Sequence, residues 1–219
     1  MCYLLLLLLQ SRSPLGRKLC APKIFSAVET RFSYFKMITL RGKFKKDSGV
    51  SNSKSQDATG KRISIRDKLL IREVQEMEQT LPLTCQATFN NPNCLYEFTL
   101  TIEPDEGYWA GGRFHFQIYI PEEYNMLPPT VKCLTKLWHP NINEDGEVCL
   151  SILRQNSIDG MGWAPTRKLK DIVWGLNSLF TDLLNFDDPL NKDAADLFSK
   201  NKELFSIKVK EYVLQYAKR

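Results

Sequence analysis

From Ser64 onward apolar residues recur every three or four positions. Leu70, Val74, Met77 and Leu81 share this spacing, while Arg72, Glu73, Glu76 and Glu78 fall mostly on other faces. Ser64 stands three residues before Asp67, which resembles a capping-box start. Pro82 drives the residue before it out of helical conformation. The pattern predicts a helix from Ser64 to Leu81. The period then changes to two. Phe98, Leu100 and Ile102 alternate with Thr99 and Thr101, and Phe114, Phe116, Ile118 and Ile120 alternate with His115, Gln117 and Tyr119. Such alternation marks strands with one buried face. Strands are predicted at Thr84–Phe89, Leu95–Glu103 and Arg113–Ile120, with a short fourth at Thr130–Leu134. The segments Asn90-Asn91-Pro92-Asn93 and Gly111-Gly112 supply turn chemistry between them.

Helical spacing returns near the C-terminus. Leu169, Ile172, Val173, Leu176, Leu179, Phe180, Leu183 and Leu184 form a wide apolar face and predict a helix over Lys168–Leu184. Two more helices are predicted at Lys192–Ser199 and Lys202–Lys218. The fold class is α+β: an N-terminal helix, a four-stranded antiparallel meander, an irregular segment, then C-terminal helices.

The first 63 residues do not follow these rhythms. Cys2 to Leu9 is an apolar run, too short for the ~20 residues that span a bilayer. No basic residue precedes it, which argues against a signal peptide. Met37 is read as the functional start, making 1–36 an upstream extension. Residues 37–63 read as a basic flexible arm. Ile38, Leu40 and Phe44 lie among Arg41, Lys43, Lys45 and Lys46, a pattern that suits a docking peptide. A Ser/Gly/Asn/Lys-rich tether follows. The domain proper is then 64–219.

Charge sharpens this division. The net charge is +5, but residues 1–66 hold 14 Lys/Arg and 3 Asp/Glu, whereas 67–219 hold 16 and 22. A basic arm therefore precedes a mildly acidic body. The arm carries no RNA-binding signature and few interleaved aromatics, so nucleic acid is not the expected partner. The six cysteines (Cys2, Cys20, Cys85, Cys94, Cys133 and Cys149) include no C-x-x-C pair. No zinc site is expected, and the chain needs no disulfide framework to build a core. A reducing, intracellular setting is the expectation.

Chemistry gathers in the irregular stretch Trp138–Leu153. It opens with the rigid turn His139-Pro140-Asn141, passes through an acidic turn ending at Gly146, and presents Cys149. A buried free cysteine is commonly a small core filler. A cysteine on irregular chain, with an amide side chain eight positions earlier, instead suggests covalent acyl chemistry. A Cys–His protease would need a base with an orienting partner. His139 is the one histidine near the cysteine in sequence, and nothing in the sequence orients it.

His139-Pro140-Asn141, Cys149, Trp163-Ala164-Pro165 and Asp187-Asp188-Pro189-Leu190 together resemble the ubiquitin-conjugating enzyme family, over Ser64 to Arg219. Within it, MITL and FKK in the arm, KLWHPNI, SIDGMGWAPT and NFDDPLN resemble the neddylation-conjugating enzymes, specifically the type acting with the fifth cullin and its RING-box partner. The resemblance implies that Cys149 accepts a ubiquitin-like modifier as a thioester from a heterodimeric activating enzyme and yields it to a lysine. Asn141 is implied to stabilise the oxyanion or brace the loop, Asp188 to orient the acceptor amine, and His139 and Pro140 to be structural. Met126, Ala164 and Pro165 are implied to meet a RING-type ligase, with a cullin as substrate. Met37, Ile38, Leu40 and Phe44 are implied to dock on the activating enzyme. A monomer of the cytoplasm and nucleus is expected, with no membrane partner and no bound cofactor; ATP is consumed upstream. Ubiquitin is the alternative modifier. A non-catalytic modifier-binding scaffold is the alternative of another class, disfavoured because the cysteine, Asn141 and Asp188 are all present. One departure stands out: Trp163 lies fourteen residues beyond Cys149, further than in most members, with the extra residues around Asn156–Gly162.

Overall fold

The structure, a computed structural model, describes residues 64–157, 160–181, 184, 186 and 188–218. The extension 1–36 and the arm 37–63, with Met37, Ile38, Leu40 and Phe44, lie outside the described residues. Helix α1 (Ile65–Thr80) begins where the sequence predicts, because the Ser64 side chain accepts a hydrogen bond from the Asp67 N–H at 3.0 Å. Four strands follow: β1 (Cys85–Thr88), β2 (Glu97–Ile102), β3 (Phe114–Tyr119) and β4 (Thr130–Cys133). They form one antiparallel sheet in the order β1-β2-β3-β4, the predicted meander. Each is slightly shorter than the alternation suggested. The register pairs Phe98 with Ile118, Leu100 with Phe116 and Ile102 with Phe114. All six of these side chains are buried, so the period-two pattern maps onto one core face.

A single 3₁₀ turn (Ser151–Leu153) is followed by helices α2 (Leu169–Ser178), α3 (Lys192–Lys200) and α4 (Lys202–Tyr216). Leu169, Ile172, Val173 and Leu176 of α2 join the same core as the sheet face. Phe180 stacks on Phe114, with ring centroids 4.7 Å apart. Asn201 caps α4 by accepting from Glu203 and Leu204 N–H groups.

The prediction that α2 runs to Leu184 is corrected. The helix stops at Ser178, and the next amides of Leu179, Phe180 and Thr181 bond three residues back, to Leu176, Asn177 and Ser178. The Leu179 carbonyl is engaged by the His139 ring instead of continuing a helical ladder. Leu179 and Phe180 are buried as the apolar pattern required, but in a tightened turn.

Glu73 also departs from its place outside the apolar stripe. It is buried, and its carboxylate accepts from the Tyr124 hydroxyl at 2.5 Å and from the Leu169 N–H at 3.1 Å. An acid from α1 thus satisfies the first N–H of α2, where negative charge is favoured. Burial and the neighbouring Glu73 push the Tyr124 phenol well above its ordinary range.

At the sheet edge, the Cys133 N–H bonds to the Gly146 carbonyl at 2.8 Å, and Lys132 pairs with Glu147. Gly146 has φ +82°, and a Cβ there would run into the Cys133 carbonyl. Gly146→Ala is therefore expected to destabilise the fold by about 1–3 kcal/mol, since both the left-handed backbone and the close approach exclude a side chain. Urea unfolding of the variant measures this, and an unchanged midpoint would contradict the packing described.

No helix among the described residues is long and apolar enough to cross a membrane. No group of three or more His, Cys, Asp or Glu among them could hold a metal ion.

Candidate active site

Cys149 sits at the end of a short loop folded back on itself. Ile142 bridges both His139 and Val148, and the Cys149 N–H donates to the Asn141 carbonyl at 2.8 Å. The acidic turn closes through Asn143, whose side chain accepts from the Glu147 N–H at 2.9 Å and donates to the Glu147 carboxylate at 2.6 Å. The thiol is fixed by backbone pairing and emerges half-buried on non-helical, non-strand chain. It lines a shallow groove of about 270 Å³ with Val148, Leu150, Leu153, Arg154 and Leu190.

His139 is fully buried and anchors this loop. The Asn141 N–H donates to its Nδ1 at 2.9 Å, so Nδ1 is an acceptor. The proton therefore resides on Nε2, which donates to the Leu179 carbonyl at 2.8 Å. The ring lies against Trp109, centroids 4.6 Å apart, and the Trp109 indole N–H donates to the Trp138 carbonyl. Burial lowers the imidazole to about 4, so it is neutral at physiological pH. With both nitrogens engaged inside the protein, His139 is not a base for Cys149. Pro140 accepts from the Asn191 N–H at 2.9 Å, and this bond ties the loop to the chain leading into α3.

Asn141 is likewise fully buried. Its backbone links His139 to Cys149, which places the residue inside the loop that carries the thiol. Asp188 is exposed, with 82% of its side chain accessible, and does not cap α3: Asn191 does so, accepting from the Ala194 N–H at 3.0 Å. The Asp188 carboxylate and the Cys149 thiol share one neighbour. Between them lies Arg154, whose Nη2 is 3.4 Å from the Cys149 sulfur and 3.7 Å from Asp188 Oδ2. The sequence reading missed Arg154. Its only signal is an arginine five positions after the cysteine, at the mouth of a loop, where most arginines are simply solvated.

A second cluster lies where the chain preceding β4 meets the segment before α2. Trp163 Nε1 donates to the Asn125 carbonyl at 2.8 Å, and Asn125 Nδ2 donates to the Pro165 carbonyl at 2.6 Å. These bonds join the Met126 loop to the Ala164–Pro165 loop. Met126 is 69% exposed and Pro165 is exposed, while Ala164 is half-buried. The longer loop after Cys149 is pinched at its base by the Trp163 N–H donating to the Arg154 carbonyl at 2.8 Å. Arg167 secures its far end through the carbonyls of Gly162 and Met161. These bonds tie together the two described ends of the longer loop.

The family model for the ubiquitin-conjugating enzyme matches residues 69–213. The chain is 58% identical over 186 residues to a human protein named NEDD8-conjugating enzyme UBE2F, covering 83% of this chain and all of that protein. It is 54% identical over 159 residues to the NEDD8-conjugating enzyme ubc-12 of Caenorhabditis elegans, covering 71% of this chain and 88% of that one. Among solved structures, Ubc12 of S. cerevisiae superposes with a TM-score of 0.62 at 33% identity, over 70% of this chain and 81% of that chain. The chain therefore belongs to the ubiquitin-conjugating enzyme family, whose members are transferases.

Proposed function

We propose that this conjugating enzyme carries NEDD8, accepting its C-terminal glycine on Cys149 from a heterodimeric activating enzyme and passing it to a lysine of a cullin with a RING-type ligase. The observation that carries the modifier assignment is the match over the full length of relatives named NEDD8-conjugating enzymes. The chemistry follows from the site. In loading, the Cys149 thiolate attacks the incoming thioester carbonyl and displaces the activating enzyme's thiolate. In discharge, the lysine nitrogen attacks the Cys149 thioester carbonyl carbon. The carbon–sulfur bond breaks, Sγ leaves as thiolate, and the amine's proton passes to Asp188 or solvent. The groove beside Cys149 suits an extended modifier tail.

Asp188 is read as the carboxylate that orients the acceptor amine, because it is exposed, near the thiol and not used as a helix cap. Asn141 is read as a loop brace, because it is fully buried and lies between His139 and Cys149. Its oxyanion role would require the amide to reach the developing charge directly. Met126, Ala164 and Pro165 are read as the ligase face, supported by the hydrogen bonds that join their loops. No cofactor is bound directly in this scheme; ATP is spent by the activating enzyme. The enzyme acts as a monomer in the cytoplasm and nucleus.

The test is incubation with ATP and either the NEDD8 or the ubiquitin activating enzyme with its own modifier, followed by non-reducing electrophoresis. A thiol-sensitive adduct with NEDD8 alone is expected. An adduct with ubiquitin alone would reassign the modifier.

A further inference from the structure

One nitrogen, Arg154 Nη2, lies between the two groups that an acceptor amine must reach. It is 3.4 Å from the Cys149 sulfur, which bears the acyl carbon once loaded, and 3.7 Å from the Asp188 carboxylate. An acceptor lysine has to occupy much the same place: its ammonium against the carboxylate and, once the proton has passed to Asp188 or solvent, its amine within bonding reach of the carbon on that sulfur. We infer that Arg154 is a resident cation filling the acceptor slot, and that it guards the thioester against free amines until an acceptor displaces it.

The residue type fits this role. A guanidinium keeps its proton at any physiological pH, so it pairs with Asp188 as a lysine would yet cannot attack the acyl carbon. Arg154 is a positioning residue here, acting on the reaction through Asp188. Its side chain is 43% exposed and Asp188 is 82% exposed, so the pair is solvent-screened, weak and readily exchanged. A guard of this strength lowers discharge to stray amines without blocking an acceptor delivered at high local concentration by a ligase. The backbone supports the placement. Arg154 follows directly from the 3₁₀ turn that begins two residues after Cys149, and its carbonyl accepts from the Trp163 N–H. The side chain thus starts from a fixed base.

The inference rests on Asp188 meeting the acceptor amine. Its test follows discharge of pre-loaded enzyme to free lysine without ligase, so that loading does not enter. Arg154→Ala is expected to raise the second-order discharge rate about two- to fivefold, the range that an exposed ion pair supports. Arg154→Lys restores the cation but supplies a nucleophile. It is expected to yield a thiol-resistant adduct on the enzyme itself, mapped by mass spectrometry to position 154. There the new amine attacks the thioester carbon, Sγ leaves as thiolate, and the amine's proton goes to Asp188 or solvent. A wild-type or slower rate in Arg154→Ala, or no adduct at position 154 in Arg154→Lys, overturns the guard. Asp188→Asn, run in parallel, should slow discharge. If it does not, the reading of Asp188 fails. If Asp188→Asn slows discharge while Arg154→Ala does not speed it, the guard alone fails.

Discussion

Replacing Cys149 with alanine is expected to abolish the thiol-sensitive adduct, and Cys149→Ser is expected to leave either no adduct or one that resists thiol. Serine keeps the position but offers a hydroxyl, which ionises far less readily than a thiol. Any oxyester formed lacks the good leaving group that lets a thioester pass its acyl group onward. The other described cysteines are poor substitutes. Cys85 and Cys133 are buried, and burial pushes the Cys133 thiol up to about 12. At pH 8 its thiolate fraction is on the order of 10⁻⁴, too small to compete for loading. Cys94 is half-buried, in the turn before β2 and remote in the chain from the pinned loop. Non-reducing gels of the single variants check this directly. A thiol-sensitive adduct persisting in Cys149→Ala would mean that another thiol carries the modifier.

The elements read most accurately were those whose signals are local. Ser64 and Asp67 are three residues apart, so the start of α1 is written in adjacent sequence and its cap forms as expected. The alternation through β2 and β3 fixes which side chains share a face whatever the partner strand. Signals that depend on distant chain were not legible. Leu179 and Phe180 continue a helical pattern, yet the Leu179 carbonyl serves His139, forty residues away. Glu73 looks like a solvated helix residue, but Tyr124 and Leu169 draw it inside. The site divides similarly. Cys149, Asn141 and Asp188 stand out through a combination of short motifs that no single residue would carry. Arg154 belongs to no such motif, and only its distances to sulfur and carboxylate give it meaning.

Acidification is expected to weaken the fold through His139, whose two ring nitrogens are both bonded inside the protein. In the unfolded chain the imidazole gains its proton near pH 6.5, whereas in the folded protein burial delays protonation to about pH 4. Between these values the unfolded state binds more protons, so lowering the pH favours unfolding. The contribution is complete above pH 6.5 and is lost progressively as pH falls toward 4. From pH 7.5 to 5 the loss from this group is about 2 kcal/mol, a substantial part of a typical domain's stability. His139→Gln has no titration in this range. Its urea midpoint should fall less between pH 7.5 and 5 than that of the unaltered protein. His139→Ala removes more. It deprives the Asn141 N–H and the Leu179 carbonyl of their partner and opens a void against Trp109 and Phe180. Two buried groups left unpaired, together with the void, should cost about 3–5 kcal/mol at pH 7.5. The same two hydrogen bonds hold the loop that presents Cys149, so thioester formation should fall along with stability. An equal pH dependence in His139→Gln and the unaltered protein would show that other groups govern the acid sensitivity.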